Sequence, residues 1–297
     1  AFYGSIAKWV VEINDARRIP ELVTRAFAVA TSGRPGPVVI ALPEDMLTEE
    51  VEAIAPRPYT PVETRPGEQE ISDMVKLLEN AERPFVVLGG TRWTEDAISK
   101  MCGALERWSL PVGCAFRRQA LCDQLHPSYA GDVGIGINPK LASYIKEADL
   151  IILVGSRFGE MPSSSYTLMK SPYPDQKLVH VYPDPEELGR VYRPTIAINA
   201  SPSSFADAFA KTAPSRTPAW ANRTAELHQS YLEWSTPPAT GPGRVLMGPI
   251  MEHLEQVLPH DAIICNGAGN FATWMHRFHR YRRFNTQAAP TSGSMGY

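Results

Sequence analysis

The feature that most constrains this chain is a series of short apolar runs without polar alternation, separated by helical patterns. The runs cover residues 85–88, 111–114, 150–154, 177–181 and 195–198. Between and around them, residues 70–80, 95–108, 139–148 and 203–211 carry the spacing of amphipathic helices. A strand that is apolar on both faces must be covered on both faces. Strands that alternate with helices in this way build a parallel sheet between two helical layers. The fold class expected is therefore α/β. Several of the strands end in glycine turns, at Gly89-Gly90, Gly113 and Gly155. Ligands of such sheets sit outside the carboxyl ends of the strands.

Proline marks the boundaries. Of the 27 prolines in 297 residues, four fall between 55 and 66, which favours an extended linker. A second group, Pro214, Pro218, Pro237, Pro238 and Pro242, lies in the stretch 214–244. The middle of that stretch, 220–234, still has the makings of a short helix. The division expected is 1–54, a linker at 55–66, a complete central Rossmann-like domain at 67–213, a second linker at 214–244, and 245–297. The outer pieces are small for independent domains. Residues 1–54 hold a helical pattern from Ile19 with Pro20 in its first turn, then an apolar run at 38–42. Residues 245–297 begin a further unit: a helix at 247–257, an apolar run at 261–265, a glycine turn and a helix from Phe271.

Composition removes several classes. Apolar residues make up 43% and charged residues 21% of the chain, which suits a folded core rather than a disordered tail. No stretch reaches the ~18 apolar residues of a membrane-spanning helix, and the first residues lack the pattern of a secretory signal. The net charge of −3 argues against nucleic acid or an anionic membrane as a partner. Cys102, Cys114, Cys122 and Cys265 form no C-x-x-C and read as free thiols of a reducing, cytoplasmic compartment.

Each motif has a functional and a plain reading. Gly267-Ala-Gly-Asn-Phe-Ala272 follows a strand, opens a helix and fits G-x-G-x-x-A, whose glycines let backbone N–H groups approach a diphosphate. A dinucleotide site would add an acidic residue further on for the ribose, and no Asp or Glu lies between Asp261 and Tyr297. A diphosphate or a simple tight turn remains. Ser292 and Ser294 do not fit a nucleophile elbow. The basic, aromatic stretch 276–284 reads as a solvated helix end, and His276 with His279 lacks the partners of a metal site. Gly155-Ser-Arg-Phe-Gly-Glu160 is either a ligand-facing loop or a strand exit. Asp184 reads as the cap of a following helix. Lys8 alone would be a surface lysine.

Together these segments resemble thiamine-diphosphate-dependent enzymes of the acetolactate synthase-like group. Ala30-Thr-Ser-Gly-Arg-Pro-Gly-Pro-Val38 with Leu42-Pro-Glu-Asp45 is similar to the end of that family's pyrimidine-binding domain. Gly155-Ser-Arg-Phe158 and Glu187-Leu-Gly-Arg-Val-Tyr-Arg-Pro194 are similar to its central domain. Residues 266–274 and Pro290-Thr-Ser-Gly-Ser-Met-Gly-Tyr297 are similar to the opening of its diphosphate-binding domain. The resemblance implies three α/β domains and a site between two subunits of a homodimer or homotetramer. It implies a transferase or lyase in which the cofactor attacks a 2-oxo acid, carbon dioxide leaves, and the carbanion is protonated or joins a second carbonyl. By resemblance, Ala268, Gly269, Asn270 and Phe271 lie at the diphosphate. Gly293 offers its carbonyl to the pyrimidine amino group, Met295 wedges the bent cofactor, and Lys8 lines the substrate approach.

Two family features have no counterpart here. The glutamate that activates the cofactor lies upstream in the family. The Gly-Asp-Gly…Asn motif that holds Mg²⁺ lies downstream, so no metal ligand is expected within these residues. The chain is accordingly expected to be an internal segment of a longer protein and inactive by itself. True synthases carry FAD with an acidic–basic pair after the Gly-Ala-Arg-Phe turn. Gly159, Glu160 and Met161 stand there instead, so the expectation leans against FAD without excluding it. Two alternatives stay open: a benzoylformate- or oxalyl-type decarboxylase, and a non-catalytic nucleotide- or flavin-binding α/β module.

Overall fold

A computed structural model describes residues 2–52, 54–55, 57–241, 243–267 and 269–288. Backbone contacts divide the chain into two compact units, Ala1–Thr64 and Arg65–Tyr297.

In the first unit, strand β1 (Trp9–Glu12) pairs in parallel with β2 (Val38–Ala41). Helix α1 (Ile19–Thr31) connects them, with Pro20 in its first turn, where a missing N–H costs nothing. Asp15 caps the 3-10 turn Ala16–Arg18 that leads into this helix, accepting from the Arg17 N–H at 3.0 Å. Ile13, Ala16, Leu22 and Met46 form a small core. The α1 residue Phe27 stays 60% exposed.

The second unit is built on six parallel strands: β3 (Pro84–Leu88), β4 (Val112–Ala115), β5 (Tyr129–Val133), β6 (Leu150–Val154), β7 (Lys177–Tyr182) and β8 (Ile196–Asn199). Their order is β5-β4-β3-β6-β7-β8, so the direction of winding reverses between β3 and β6. Side chains alternate between two buried faces. Val86, Leu88, Ile152 and Val154 enter one core; Phe85, Val87, Ile151 and Leu153 enter the other. This explains the runs without polar alternation, since neither face meets water. Helices α2 (Glu68–Glu79), α3 (Glu95–Arg107) and α5 (Pro202–Phe209) cover the first face through Met74, Met101 and Phe205. Helix α4 (Pro139–Glu147) covers the second through Leu141 and Ile145. A six-stranded parallel sheet between helices is the α/β class expected.

One strand escaped the sequence pattern, and one expected helix takes a place the sequence did not show. Strand β5 contains Gly131 at φ +133° and the polar Asp132, which interrupt its apolar run. Helix α6 (Ala221–Trp234) fills the middle of the proline-rich stretch and packs along the β5 edge. The rings of Tyr129 and Tyr231 meet edge-to-face at 4.8 Å, and the His228 Nδ1 lies 2.8 Å from the Tyr129 carbonyl. An uncovered edge strand would expose unpaired backbone groups. Asp184 caps no helix: its Oδ1 accepts from the Glu186 N–H within a turn.

The last part of the unit holds α7 (Met247–Val257), α8 (Ala272–Phe278) and two short parallel strands, β9 (Ile264–Cys265) and β10 (Gln287–Ala288). Buried glutamines fasten it to the sheet. Gln124 exchanges two hydrogen bonds with the backbone of Tyr281, each 3.0 Å, and also accepts from the Tyr231 hydroxyl at 3.1 Å.

Candidate functional site

A cavity of about 870 Å³ opens beyond the carboxyl ends of β4 and β5. Phe116 and Arg117 reach it directly after β4; Asp132 belongs to β5 itself. Tyr231 and Trp234 of α6 form another wall, with Met161 beyond β6. The loop Asn266, Gly267, Gly269 and Asn270 and the α8 residues His276 and Arg277 complete it.

Its charges are shaped by burial. The Asp132 Oδ1 is shut off from water and has no hydrogen-bond partner. Desolvation pushes this carboxyl up to about 8, so it is largely protonated near neutrality. Burial, then the neighbouring Arg117, hold His276 below the usual imidazole range and therefore neutral. Arg277 packs its guanidinium over the Trp234 ring at 3.5 Å and donates from Nε to the Trp234 carbonyl at 2.9 Å. Arginine keeps its charge in such surroundings. The residues lining the cavity thus present two guanidinium charges, Arg117 and Arg277, and little negative charge. That balance suits an anion.

The loop after β9 is built for close approach. Gly269 has φ +139°, and a Cβ there would stand 3.2 Å from the Phe271 ring. The Asn266 side chain is buried, donates from Nδ2 to the Gly267 carbonyl at 3.1 Å, and leaves its Oδ1 without a partner. An orphaned buried acceptor normally meets a ligand or water. Gly269 and Asn270 line the cavity, and Phe271 is 55% exposed. Ala268, Gly293 and Met295 lie outside the described residues. Lys8 belongs to the first unit, where its Nζ donates to the Ser32 carbonyl at 2.6 Å and the Arg34 carbonyl at 3.1 Å. Its ammonium thereby braces the glycine–proline turn before β2.

One sequence reading changes, one is narrowed, and two residues had not been singled out. Stretch 276–284 is not a solvated helix end. The α8 helix stops at Phe278, and the arginines turn onto the protein: Arg280 donates to the Ser235 Oγ at 3.3 Å and Arg282 to the Asp123 carboxylate at 2.8 Å. Asp132 and Arg117 carried no motif and went unnoticed; only their places at the ends of β5 and β4 could have singled them out. The turn at Gly155 is a strand exit packed tightly against its neighbour. A Cβ on Gly90 would come within 1.9 Å of the Gly155 carbonyl oxygen, and the Trp93 indole donates to the Gly89 carbonyl at 2.8 Å. Among the described residues, no group of three or more His, Cys, Asp or Glu is placed to hold a metal ion, and no helix is long and apolar enough to cross a membrane.

Comparison with known proteins agrees with this architecture. Residues 71–209 match the family model for the central domain of thiamine pyrophosphate enzymes. The acetolactate synthase large subunit of Corynebacterium glutamicum is 25% identical over 299 residues, covering 96% of this chain and 46% of that protein. The isozyme 1 large subunit of Escherichia coli K12 is 30% identical over 193 residues, covering 63% of this chain and 33% of its own length. A glyoxylate carboligase of Escherichia coli O157:H7 is 29% identical over 199 residues, or 65% of this chain and 32% of that enzyme. The chain spans about half the length of the first two synthase subunits it matches. Residues 71–209 thus match a thiamine pyrophosphate enzyme central domain, and nearly the whole chain is similar to acetolactate synthase large subunits.

Proposed function

We propose that the protein containing this chain decarboxylates a 2-oxo acid and joins the resulting fragment to a second carbonyl, using thiamine diphosphate. The observation that carries this reading is the Asn266–Asn270 loop opening onto a cation-lined cavity, in a chain related to synthase subunits over 96% of its length. Bound thiamine diphosphate supplies a nucleophilic carbon and an electron sink for decarboxylation.

The chain's own residues would hold, orient and shield. Gly269 keeps the loop free of a side chain where the diphosphate lies, beside Ala268, Asn270 and Phe271. The orphaned Asn266 Oδ1 accepts from a cofactor N–H or a bound water. Arg117 and Arg277 attract the carboxylate of the 2-oxo acid. The protonated Asp132 carboxyl donates to a carbonyl oxygen. Gly293 and Met295 take the pyrimidine-side roles that the resemblance assigns them. Lys8 would have to leave its carbonyl partners in the Ser32–Arg34 turn to touch substrate. Mg²⁺ would be held by ligands supplied outside these residues and would neutralise diphosphate charge.

The same reading makes residues 1–54 the end of a pyrimidine-binding domain, 67–213 the central domain, and 245–297 the opening of a diphosphate-binding domain. It makes the protein a cytoplasmic homo-oligomer, as four unpaired cysteines suit a reducing compartment. The flavin is optional: Met161 reaches the cavity wall, whereas the exposed Glu160 does not line it.

The test adds thiamine diphosphate and Mg²⁺ while the fluorescence of the cavity residues Trp234 and Trp274 is followed. Saturable quenching is expected. The full-length protein is then given pyruvate or glyoxylate, and carbon dioxide and the carboligation product are measured. Product from pyruvate supports the synthase reading. Product from glyoxylate alone favours the chemistry named for the carboligase relative. The absence of both quenching and turnover would refute the proposal. A yellow protein with flavin absorbance would add FAD.

A further inference from the structure

The α/β core holds a thiol cluster that the reaction does not use. Cys102 lies on α3 and is half-buried, whereas Cys122 is buried directly after the 3-10 turn Gln119–Leu121. Their sulfurs are 3.9 Å apart. Cys114 of β4, also buried in the same core, is the third thiol and is near enough to raise Cys122. The three come from a helix, a strand and a turn that pack into one core.

The turn carrying Cys122 is also the clasp between the sheet and the last part of the unit. The Gln119 N–H donates to the Gln287 Oε1 at 3.0 Å, and its Nε2 donates to the His276 carbonyl at 2.7 Å. The Asn285 N–H donates to the Ala120 carbonyl at 2.9 Å. Gln124, two residues after Cys122, holds Tyr281. A covalent change at Cys122 therefore acts on the segment that supports His276 and the cavity wall.

We propose that Cys102 and Cys122 are an oxidisable pair that closes to a disulfide when the protein meets a peroxide, and that closure shifts the clasp. Of the three, Cys102 is the thiol within reach of solvent. Its hydrogen bond with Cys122 holds it below the usual thiol range, whereas Cys122 is raised by its thiol neighbours and burial. Cys102 is thus the thiolate that attacks. Its sulfur takes one peroxide oxygen, the O–O bond breaks, and hydroxide leaves and is protonated to water. The Cys122 sulfur then attacks the Cys102 sulfur. The S–S bond forms, the S–O bond breaks, and the Cys122 proton leaves with the hydroxyl as a second water. Two thiols lose two electrons, and one hydrogen peroxide becomes two waters. Closure draws the sulfurs to about 2.05 Å, moving the Cys122 end of the clasp toward α3. The proposal stands on these thiols and does not depend on the cofactor reading.

Trypsin separates the cysteines, because Cys102 falls in peptide 101–107, Cys114 in 108–117 and Cys122 in 119–140. The protein is treated with hydrogen peroxide, its remaining thiols are alkylated, and its peptides are mapped by mass. Most of peptide 101–107 should appear linked to 119–140 and be released by dithiothreitol. Linkage of 108–117 to either peptide, or no linkage among the three, overturns the assignment. Cys102→Ser should abolish the link and Cys114→Ala should keep it. If a substituted chain fails to fold, the wild-type map still decides. Hydrogen exchange in 276–288 should change on oxidation and revert with dithiothreitol. Unchanged exchange overturns the coupling to the clasp.

Discussion

Gln119 and Gln287, 168 residues apart in the chain, bond to each other twice: the Gln119 N–H donates to the Gln287 Oε1 at 3.0 Å, and the Gln287 Nε2 donates to the Gln119 Oε1 at 2.6 Å. Gln119 is 1% exposed. A buried amide that satisfies both sides of a contact fixes one arrangement, because any other leaves donors and acceptors unpaired in a place water does not reach. Here the arrangement sets β10 and α8 against the carboxyl end of β4, and so defines one side of the cavity.

Gln119→Ala should therefore lower stability by about 2–3 kcal/mol, most of it from partners left unsatisfied. Residues 276–288 should become more open to proteolysis. Urea unfolding together with limited proteolysis checks both, and a change under about 0.5 kcal/mol would show that the glutamine pair is incidental.

Gly90→Ala should be far more damaging. The residue sits at φ +68°, and an added Cβ would lie 1.9 Å from the Gly155 carbonyl oxygen. The backbone conformation alone costs about 1–2 kcal/mol for a side chain, and the overlap forces β3 and β6 apart at the point where the sheet reverses. Loss of soluble protein or a sharply reduced melting temperature is expected. A normal melting curve would mean that the two turns can separate freely.

Stability should fall as pH rises between about 6.5 and 8, and Asp132 is the cause. Its folded carboxyl titrates near 8 against 3.8 unfolded. The folded state holds the extra proton, so this contribution is complete below 3.8 and is lost as pH rises towards 8. His180 works in the opposite sense. Its Nε2 faces the Ser156 carbonyl at 3.0 Å, so Nε2 carries the hydrogen and the buried Nδ1 stays bare. Desolvation lowers it to about 4 from 6.5, and its contribution is complete above 6.5 and lost as pH falls to 4. The two slopes oppose each other below 6.5, and Asp132 acts without that opposition above it. Denaturant titrations of wild type and Asp132→Asn across pH 6 to 9 should diverge, with the variant flatter. Parallel curves would exclude Asp132 as the source.

Gly269→Ala separates binding from folding. The residue is exposed and lies in a loop, but its φ of +139° is one that side chains rarely adopt, and a Cβ 3.2 Å from the Phe271 ring would push that ring aside. The loop must rearrange where the diphosphate is proposed to lie. Thiamine diphosphate affinity should drop by tenfold or more, equal to at least about 1.4 kcal/mol, with the melting temperature little changed. Unaltered affinity would remove this loop from the cofactor site.

Much of the fold was legible because it follows from local chemistry. The uniformly apolar runs at 85–88 and 150–154 read as strands buried on both faces, whereas the turn at Gly155 stayed open between a ligand-facing loop and a strand exit until its packing against Gly90 was seen. The motif at Gly267–Gly269 was visible for the same reason: close backbone approach needs glycine wherever it occurs. Strand β5 was not legible, since Gly131 and Asp132 break its pattern and its outer edge is covered by α6, a helix about 90 residues later.

The sequence by itself determined the layers, the parallel sheet and the place of the Asn266–Asn270 loop after a strand, because strand burial and backbone freedom are written residue by residue. Tertiary structure alone decided the cavity. Asp132, Arg117 and Arg277 have no motif that links them, and each is unremarkable in its own segment. Only the folded surroundings desolvate the Asp132 carboxyl and leave it protonated, in a cavity that Arg117 and Arg277 also line. Desolvation is a property of what surrounds a group, and that cannot be read from the group's neighbours in the chain.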